Sequence, residues 1–148
     1  MSFTALAERL RAGPPAGQLD MLPYAALLGL SYVTAGGELI VTMPYADTLV
    51  GQPFPPRLHG GTVAGLLEIT ATAALLVALP RDEPLPALKP VTVSVNYLRA
   101  GAPQDTYAAA TINRLGRRIA NLRVAAWQED RTVPIAAAQM NILLARGS

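Results

Sequence analysis

The sequence contains no cysteine among its 148 residues. This absence excludes disulfide bonds, thiolate metal ligands and a cysteine nucleophile. Aromatic residues make up only 5% of the chain and charged residues only 15%, with a formal net charge of +2. The chain therefore lacks the basic stripe with interleaved aromatics that is typical of nucleic-acid-binding proteins. We expect no nucleic-acid partner.

A secretory signal is also missing from the first residues, MSFTALAERLRAG, so we expect a cytoplasmic protein. The length fits one domain, residues 1–148, better than two. Hydrophobic residues make up 51% of the chain, which is more apolar surface than a monomer of this size usually buries. The composition therefore favours an oligomer.

The longest apolar segment, residues 62–79, is rich in Ala and Leu and stops at Pro80, which predicts a helix. Its length would allow it to span a membrane. However, Glu68 lies near its centre, and a charge at mid-bilayer costs at least about 2.5 kcal/mol. Because the segment is apolar almost all round, we expect a buried core helix and no membrane span.

The remaining segments predict an α+β domain. An N-terminal helical segment, residues 1–28, precedes a hairpin formed by residues 30–33 and 38–43. A proline-rich loop, residues 51–56, is not expected to continue a strand. Four β-prone segments follow the helix, at residues 89–98, 106–115, 118–128 and 132–144. Short turns join them, so the sheet should be antiparallel and should curl around the single apolar helix.

The sequence HGGTVAGLLEITATAA carries a family resemblance. A His-Gly-Gly opens the predicted helix, and an acid, Glu68, follows nine positions after His59. Together with the flanking MPYADTLVG and PVTVSVNYLRAG, and with the final strands, this segment resembles the hotdog-fold acyl-CoA thioesterases of the phenylacetate-pathway (PaaI-like) type. The likeness extends over nearly the whole chain.

This resemblance implies a hotdog fold, in which an antiparallel sheet curls around one long central helix. It also implies a homodimer whose sheets join edge to edge, with two active sites between the subunits, and it is compatible with a dimer of dimers. The family hydrolyses acyl-CoA thioesters to a free acid and coenzyme A. It requires no metal and no redox cofactor.

Glu68 is the first candidate catalytic residue. An ionised carboxylate in apolar surroundings is costly, so such an acid is paired with a cation, lies at a wet edge, or is kept for a function. The resemblance favours the third explanation, with Glu68 as general base for water or as nucleophile on the thioester carbonyl. The sequence does not separate these two roles.

Gly60 and Gly61 are candidates for stabilising the oxyanion. The first turn of a helix has unpaired N–H groups, and the resemblance assigns this role chiefly to Gly60. Gly60 and Glu68 lie about 12 Å apart along one helix, whereas an attacking group must approach the carbonyl carbon to about 3 Å. The two groups that act together should therefore come from different subunits.

Three further residues complete the predicted site. His59 either fixes the loop and positions substrate or acts as a base, and the first role is favoured because no partner acid lies nearby in sequence. Thr72, one turn after Glu68, either orients the acid or bonds to its own backbone. Relatives often carry an amide six positions before the histidine, where this chain has Pro53, so the adjacent Gln52 is the candidate.

Arg99, Arg117 and Arg118 are candidate partners of the coenzyme A phosphates by charge alone.

Two other functions remain open. A non-catalytic hotdog protein would bind an acyl thioester without cleaving it. A hydroxyacyl-thioester dehydratase would need a histidine well upstream of the helix acid, and the only histidine, His59, lies at the helix entrance.

Overall fold

A computed structural model describes residues 3–147. The strands are β1 (Ala16–Gln18), β2 (Ser31–Ala35), β3 (Glu38–Met43), β4 (Val50–Pro53), β5 (Pro56–Leu58), β6 (Ala87–Tyr97), β7 (Thr106–Leu115), β8 (Ile119–Trp127) and β9 (Ala136–Ala145). The helices are α1 (Phe3–Ala12), α2 (Pro23–Leu28) and α3 (Gly60–Ala78), with a short 3₁₀ turn at Asp47–Leu49.

Seven strands form one antiparallel sheet in the order β1-β2-β3-β7-β8-β9-β6. The long helix α3 packs chiefly on β7 and β8, and α1 and α2 lie against α3 as well. This arrangement confirms the predicted hotdog architecture, in which one apolar helix provides the centre of the core.

Helix α3 begins two residues earlier than predicted, because His59 caps it and both glycines enter its first turn. By length and composition it could cross a membrane, but 56% of its most apolar 18-residue stretch is buried inside the fold. Its last turn is held by α1, where Arg11 Nη2 donates to the Leu79 carbonyl at 2.7 Å. The prediction of a core helix agrees with this packing.

The N-terminal helical segment predicted for residues 1–28, of which residues 1 and 2 lie outside the described residues, contains helices α1 and α2 and also a short strand that was not predicted. Between α1 and α2 the chain forms β1, which pairs with β2 in the register Gly17 to Tyr32. Tyr32 is buried, and its hydroxyl donates to the Pro14 carbonyl at 3.1 Å. Three residues are too few to show a strand period in the sequence, so the strand was missed.

The proline-rich loop also differs from the expectation, since it contains the two-stranded hairpin β4-β5. Pro53 and Pro56 face each other at its turn. Proline is compatible with such a position, at the end of an isolated two-stranded ribbon where few ladder hydrogen bonds are lost. The hairpin brings the chain back to the start of α3.

Strand β6 forms an edge of the large sheet. Among residues 3–147 it pairs with β9 on one side and with no strand on the other. Two of its valines are well exposed, Val91 at 57% and Val93 at 42%. An eleven-residue edge with exposed apolar side chains is a surface that proteins usually cover.

Candidate active site

The entrance of α3 is organised by His59. Its Nδ1 accepts a hydrogen bond from the Gly61 N–H at 2.8 Å, and its carbonyl accepts from the Thr62 hydroxyl at 2.7 Å. Its own N–H donates to the Leu49 carbonyl at 2.7 Å. Because Nδ1 is an acceptor here, the ring carries its proton on Nε2. His59 thus fixes the loop, and any direct role in chemistry stays a prediction.

Because of this cap, the N–H groups of Gly60 and Gly61 differ in their hydrogen bonding. The Gly61 N–H is engaged by His59, whereas the Gly60 N–H makes no hydrogen bond within residues 3–147. A free N–H in the first turn lies at the positive end of the helix dipole. Of the two candidates, Gly60 is therefore the one equipped to donate to an oxyanion.

Tyr97 holds Gly60 in place, a role that the sequence did not predict. Its hydroxyl donates to the Gly60 carbonyl at 2.9 Å. A Cβ added at Gly60 would lie only 3.2 Å from the ring, so glycine permits the close approach. No sequence signal connects Tyr97 with a residue 37 positions earlier.

A hollow of about 360 Å³ opens beside Gly60. Val63, Tyr97 and Ile135 contribute to its wall, and Arg99 lies in its lining. A cationic residue and the positive end of a helix therefore border the same space. Such a space is suited to a negatively charged group.

Glu68 lies in the middle of α3 but is exposed in the single chain, contrary to the expectation of an acid lodged in the core. Helix α3 packs on the sheet, and Glu68 lines a hollow that also includes Phe3 of α1 and Tyr24 of α2. Its carboxylate forms no ion pair or side-chain hydrogen bond among the described residues. It is therefore available to a substrate or to a partner subunit.

Thr72 shares this face of α3 with Glu68, and both line a hollow of about 290 Å³. The Thr72 hydroxyl donates to the Glu68 backbone carbonyl at 3.1 Å, the helix-internal bond that was one of the two expectations. Its oxygen still has lone pairs that can accept a hydrogen bond.

Gln52 lies in the β4-β5 hairpin rather than in an open loop. Its Nε2 donates to the Phe54 and Pro55 carbonyls at 3.3 and 3.4 Å, so its amide is turned onto its own hairpin. Neighbouring Gly51 packs directly against His59, where a Cβ would meet the His59 Cα at 2.9 Å. The hairpin is therefore close to the helix entrance, but the Gln52 amide is occupied.

The three candidate arginines lie in two groups. Arg99 follows the carboxyl end of β6, beside Gly60, whereas Arg117 and Arg118 lie in the β7-β8 turn. That turn is next to the other end of β6, because the Leu144 N–H donates to the Arg118 carbonyl and Leu144 pairs with Leu88. The length of β6 separates the two groups within one chain.

We searched the described part of the chain for side chains that could hold a metal ion. No group of three or more His, Asp or Glu side chains there could hold an ion.

Comparison with solved structures shows relatives that share the fold. A Chromobacterium violaceum protein is 34% identical, with a TM-score of 0.71, and the match covers 99% of this chain and 98% of that one. A Ralstonia eutropha protein described as related to phenylacetic acid degradation is 19% identical, with a TM-score of 0.71 and coverages of 93% and 98%. A Bacillus halodurans protein, solved with CoA, is 18% identical, with a TM-score of 0.74 and coverages of 97% and 87%.

The fold and these likenesses place the protein in the hotdog-fold thioesterase superfamily. Within it, residues 51–143 match the family of acyl-CoA thioesterase N-terminal domains, and the chain belongs to that family. None of the curated proteins compared with the chain matches it.

Proposed function

We propose that the protein hydrolyses acyl-CoA thioesters to a free acid and coenzyme A, as a thioesterase of the phenylacetate-pathway type. Membership of the acyl-CoA thioesterase family supports the reaction class. The CoA bound by the Bacillus halodurans relative and the description of the Ralstonia eutropha relative support the substrate and the subtype. One observation carries the proposal. Helix α3 presents both a carboxylate, that of Glu68, and an N–H, that of Gly60, which form no hydrogen bond within residues 3–147.

Glu68 acts either on water or directly on the thioester. As a base, its carboxylate takes a proton from water while the water oxygen attacks the carbonyl carbon. As a nucleophile, its oxygen attacks that carbon and forms an anhydride that water then hydrolyses. In both routes the C–S bond breaks, coenzyme A leaves as the thiolate and takes up a proton, and the Gly60 N–H stabilises the oxyanion.

The two groups act across a dimer in this proposal. Along α3 they are eight residues apart, about 12 Å, which is too far for one thioester. The free edge of β6 supports a two-fold contact, because antiparallel pairing with its copy would continue the sheet and cover Val91 and Val93. Glu68 of one subunit would then meet Gly60 of the other.

The same contact between the β6 strands of two subunits also suggests where coenzyme A binds. Antiparallel pairing of two β6 strands places the carboxyl end of one beside the amino end of the other. Arg99 of one subunit would thereby approach the turn that carries Arg117 and Arg118 in the second subunit. We propose that these arginines meet the phosphates of one coenzyme A from both sides.

A non-catalytic acyl-thioester-binding protein is the alternative. Gln52 favours it, since its amide is bonded to the Phe54 and Pro55 carbonyls instead of facing Gly60. In that case the dimer would bind acyl-CoA without cleaving it.

Hydrolysis is tested with purified protein, a panel of acyl-CoA esters and a thiol-reactive dye. We expect thiol release by the wild type and a loss of about 10²–10⁴-fold in Glu68→Gln, because the variant keeps the shape of the side chain but cannot accept a proton or attack. Glu129→Gln is the matched control, since Glu129 is an exposed acid outside the site. Binding without thiol release would establish the alternative, and full activity in Glu68→Gln would exclude the proposed role.

A further inference from the structure

One glycine of α3 is unexplained by the catalytic proposal. Gly65 lies in the middle of a helix, where glycine costs about 1 kcal/mol relative to alanine. A Cβ added there would lie 2.6 Å from Tyr24 Cε1, a distance that real Cβ atoms essentially never show. Gly65 is therefore required for the Tyr24 ring to lie directly on α3.

The ring of Tyr24 closes one side of the hollow that contains Glu68. This hollow of about 290 Å³ lies between α1, α2 and α3, and Phe3, Leu22 and Ile69 give it apolar walls. Within residues 3–147, its polar side chains besides the Tyr24 hydroxyl are those of Glu68 and Thr72. The space is therefore a hydrocarbon-lined recess with one carboxylate at its surface.

The hollow at Gly60 differs in character, since Arg99 lies in its lining. A thioester substrate has a charged part, coenzyme A, and an acyl part joined at the reacting carbonyl. The charged part suits the hollow with the arginine, and the acyl part suits the apolar recess. In each case the reacting carbonyl would lie next to the group that acts on it.

We propose that this recess receives the acyl group and that Tyr24, seated on Gly65, limits its length. The proposal rests on the proposed function, because it takes the ligand to be an acyl-CoA. At about 290 Å³ the recess is at the lower end of the range for ligand pockets, about 300–1,000 Å³. The acyl group is therefore short or contains a single aromatic ring, and long fatty acyl chains are excluded by the tyrosine.

The test measures binding of S-alkyl coenzyme A thioethers, from ethyl to dodecyl, which cannot be hydrolysed. In the wild type we expect affinity to rise by about fourfold per methylene until the recess is full, and then to level off or fall. In Tyr24→Ala the rise should continue to longer chains. Leu27→Ala is the matched control, because Leu27 lies on the same helix, is 76% exposed and is not part of the recess.

A second measurement tests the contact itself. Gly65→Ala should be less favourable for the thermal midpoint in the wild type than in the Tyr24→Ala background, because the new Cβ displaces the ring only where the ring is present. In the Tyr24→Ala background it should raise the midpoint, since only the higher helix propensity of alanine remains. An equal change of the midpoint in both backgrounds would contradict the contact.

The outcomes separate this proposal from the hydrolytic one. Thiol release from acyl-CoA with an unchanged thioether profile in Tyr24→Ala would overturn the recess and leave hydrolysis standing. A shifted profile without thiol release in the wild type would overturn hydrolysis and leave the recess standing. The same shift in Leu27→Ala, or no binding of any thioether, would overturn the recess.

Discussion

At the scale of single residues, neighbouring residues in the first turn of α3 have different hydrogen-bonding roles. His59 uses its imidazole to occupy the Gly61 N–H, and this leaves the Gly60 N–H as the unpaired donor. Tyr97 fixes the Gly60 carbonyl from β6. The donor is thus oriented before a substrate arrives, as preorganised oxyanion stabilisation requires.

Replacing Gly60 by proline tests this donor directly. Proline lacks the N–H, fits the first position of a helix, and is compatible with the extended backbone of His59 before it, at φ −67° and ψ 129°. Gly60→Ala is the matched control, because it adds a Cβ against Tyr97 but keeps the N–H. We expect kcat for Gly60→Pro to be lower than for Gly60→Ala by about 10²–10³-fold.

Steady-state hydrolysis of one acyl-CoA by both variants checks this expectation. Equal activities would show that the Gly60 N–H does not act on the oxyanion.

The sequence alone points to candidate site residues where their spacing along one helix matches a family pattern. His59, Gly60 and Glu68 were selected as candidates because their separations match a family pattern, and their roles stay predictions. Tyr97 and Tyr24 were not selected, because each lies against a glycine far away in sequence. The exposure of Glu68 was also missed, since a helix that is apolar almost all round gives no period from which its open face can be located.

At the scale of secondary-structure elements, strands with a regular period were predictable. Strand β7 was predicted with its exact bounds, and the four strands after the helix were all present. The hairpin β4-β5 was missed because its prolines argue against a strand, although they lie at the turn where the lost donors matter little. The order of the strands depends on long-range pairing, which the pattern of the sequence does not reveal.

An ion pair joins two distant elements of the fold. Arg131, in the β8-β9 connection, donates to both Glu38 carboxylate oxygens at 2.6 and 2.5 Å, at the start of β3. The guanidinium also lies 4.6 Å from the centre of the Trp127 ring. The hydrogen bonds from Arg131 lower the pKa of Glu38, which burial opposes only in part.

This pKa shift predicts a dependence of stability on pH. Because the pKa of Glu38 is lower in the folded than in the unfolded state, its stabilisation is complete above the unfolded value, about 4.3, and is lost as the pH falls through the folded value. At pH 7 we expect Glu38→Gln to lower the free energy of unfolding by about 0.2–1 kcal/mol, since both side chains are partly exposed.

Urea unfolding of the wild type and Glu38→Gln across pH 3–7 provides the measurement. The difference between the two proteins should shrink below about pH 4, whereas Glu129→Gln should match the wild type throughout. A difference that stays constant or grows with acidification would contradict the role of the pair.

At the scale of the whole molecule, one chain is incomplete as an enzyme in this account. Within residues 3–147, the Glu68 carboxylate and the Gly60 N–H make no hydrogen bond, the two groups lie too far apart along α3, and β6 presents a free edge with exposed valines. The proposed two-fold dimer would account for all three features at once, and it agrees with the high apolar content of the sequence.

Heterodimers that combine two defects test the shared site most directly. Chains with different affinity tags are co-expressed, and dimers that carry both tags are purified and assayed for acyl-CoA hydrolysis. A Glu68→Gln chain paired with a Gly60→Pro chain has one site with both defects and one intact site, so we expect about half of the wild-type activity. A chain with both substitutions, paired with a wild-type chain, has a defect in each site and should be inactive. The reverse result, with the first heterodimer inactive and the second retaining half of the activity, would show that each site lies within one chain.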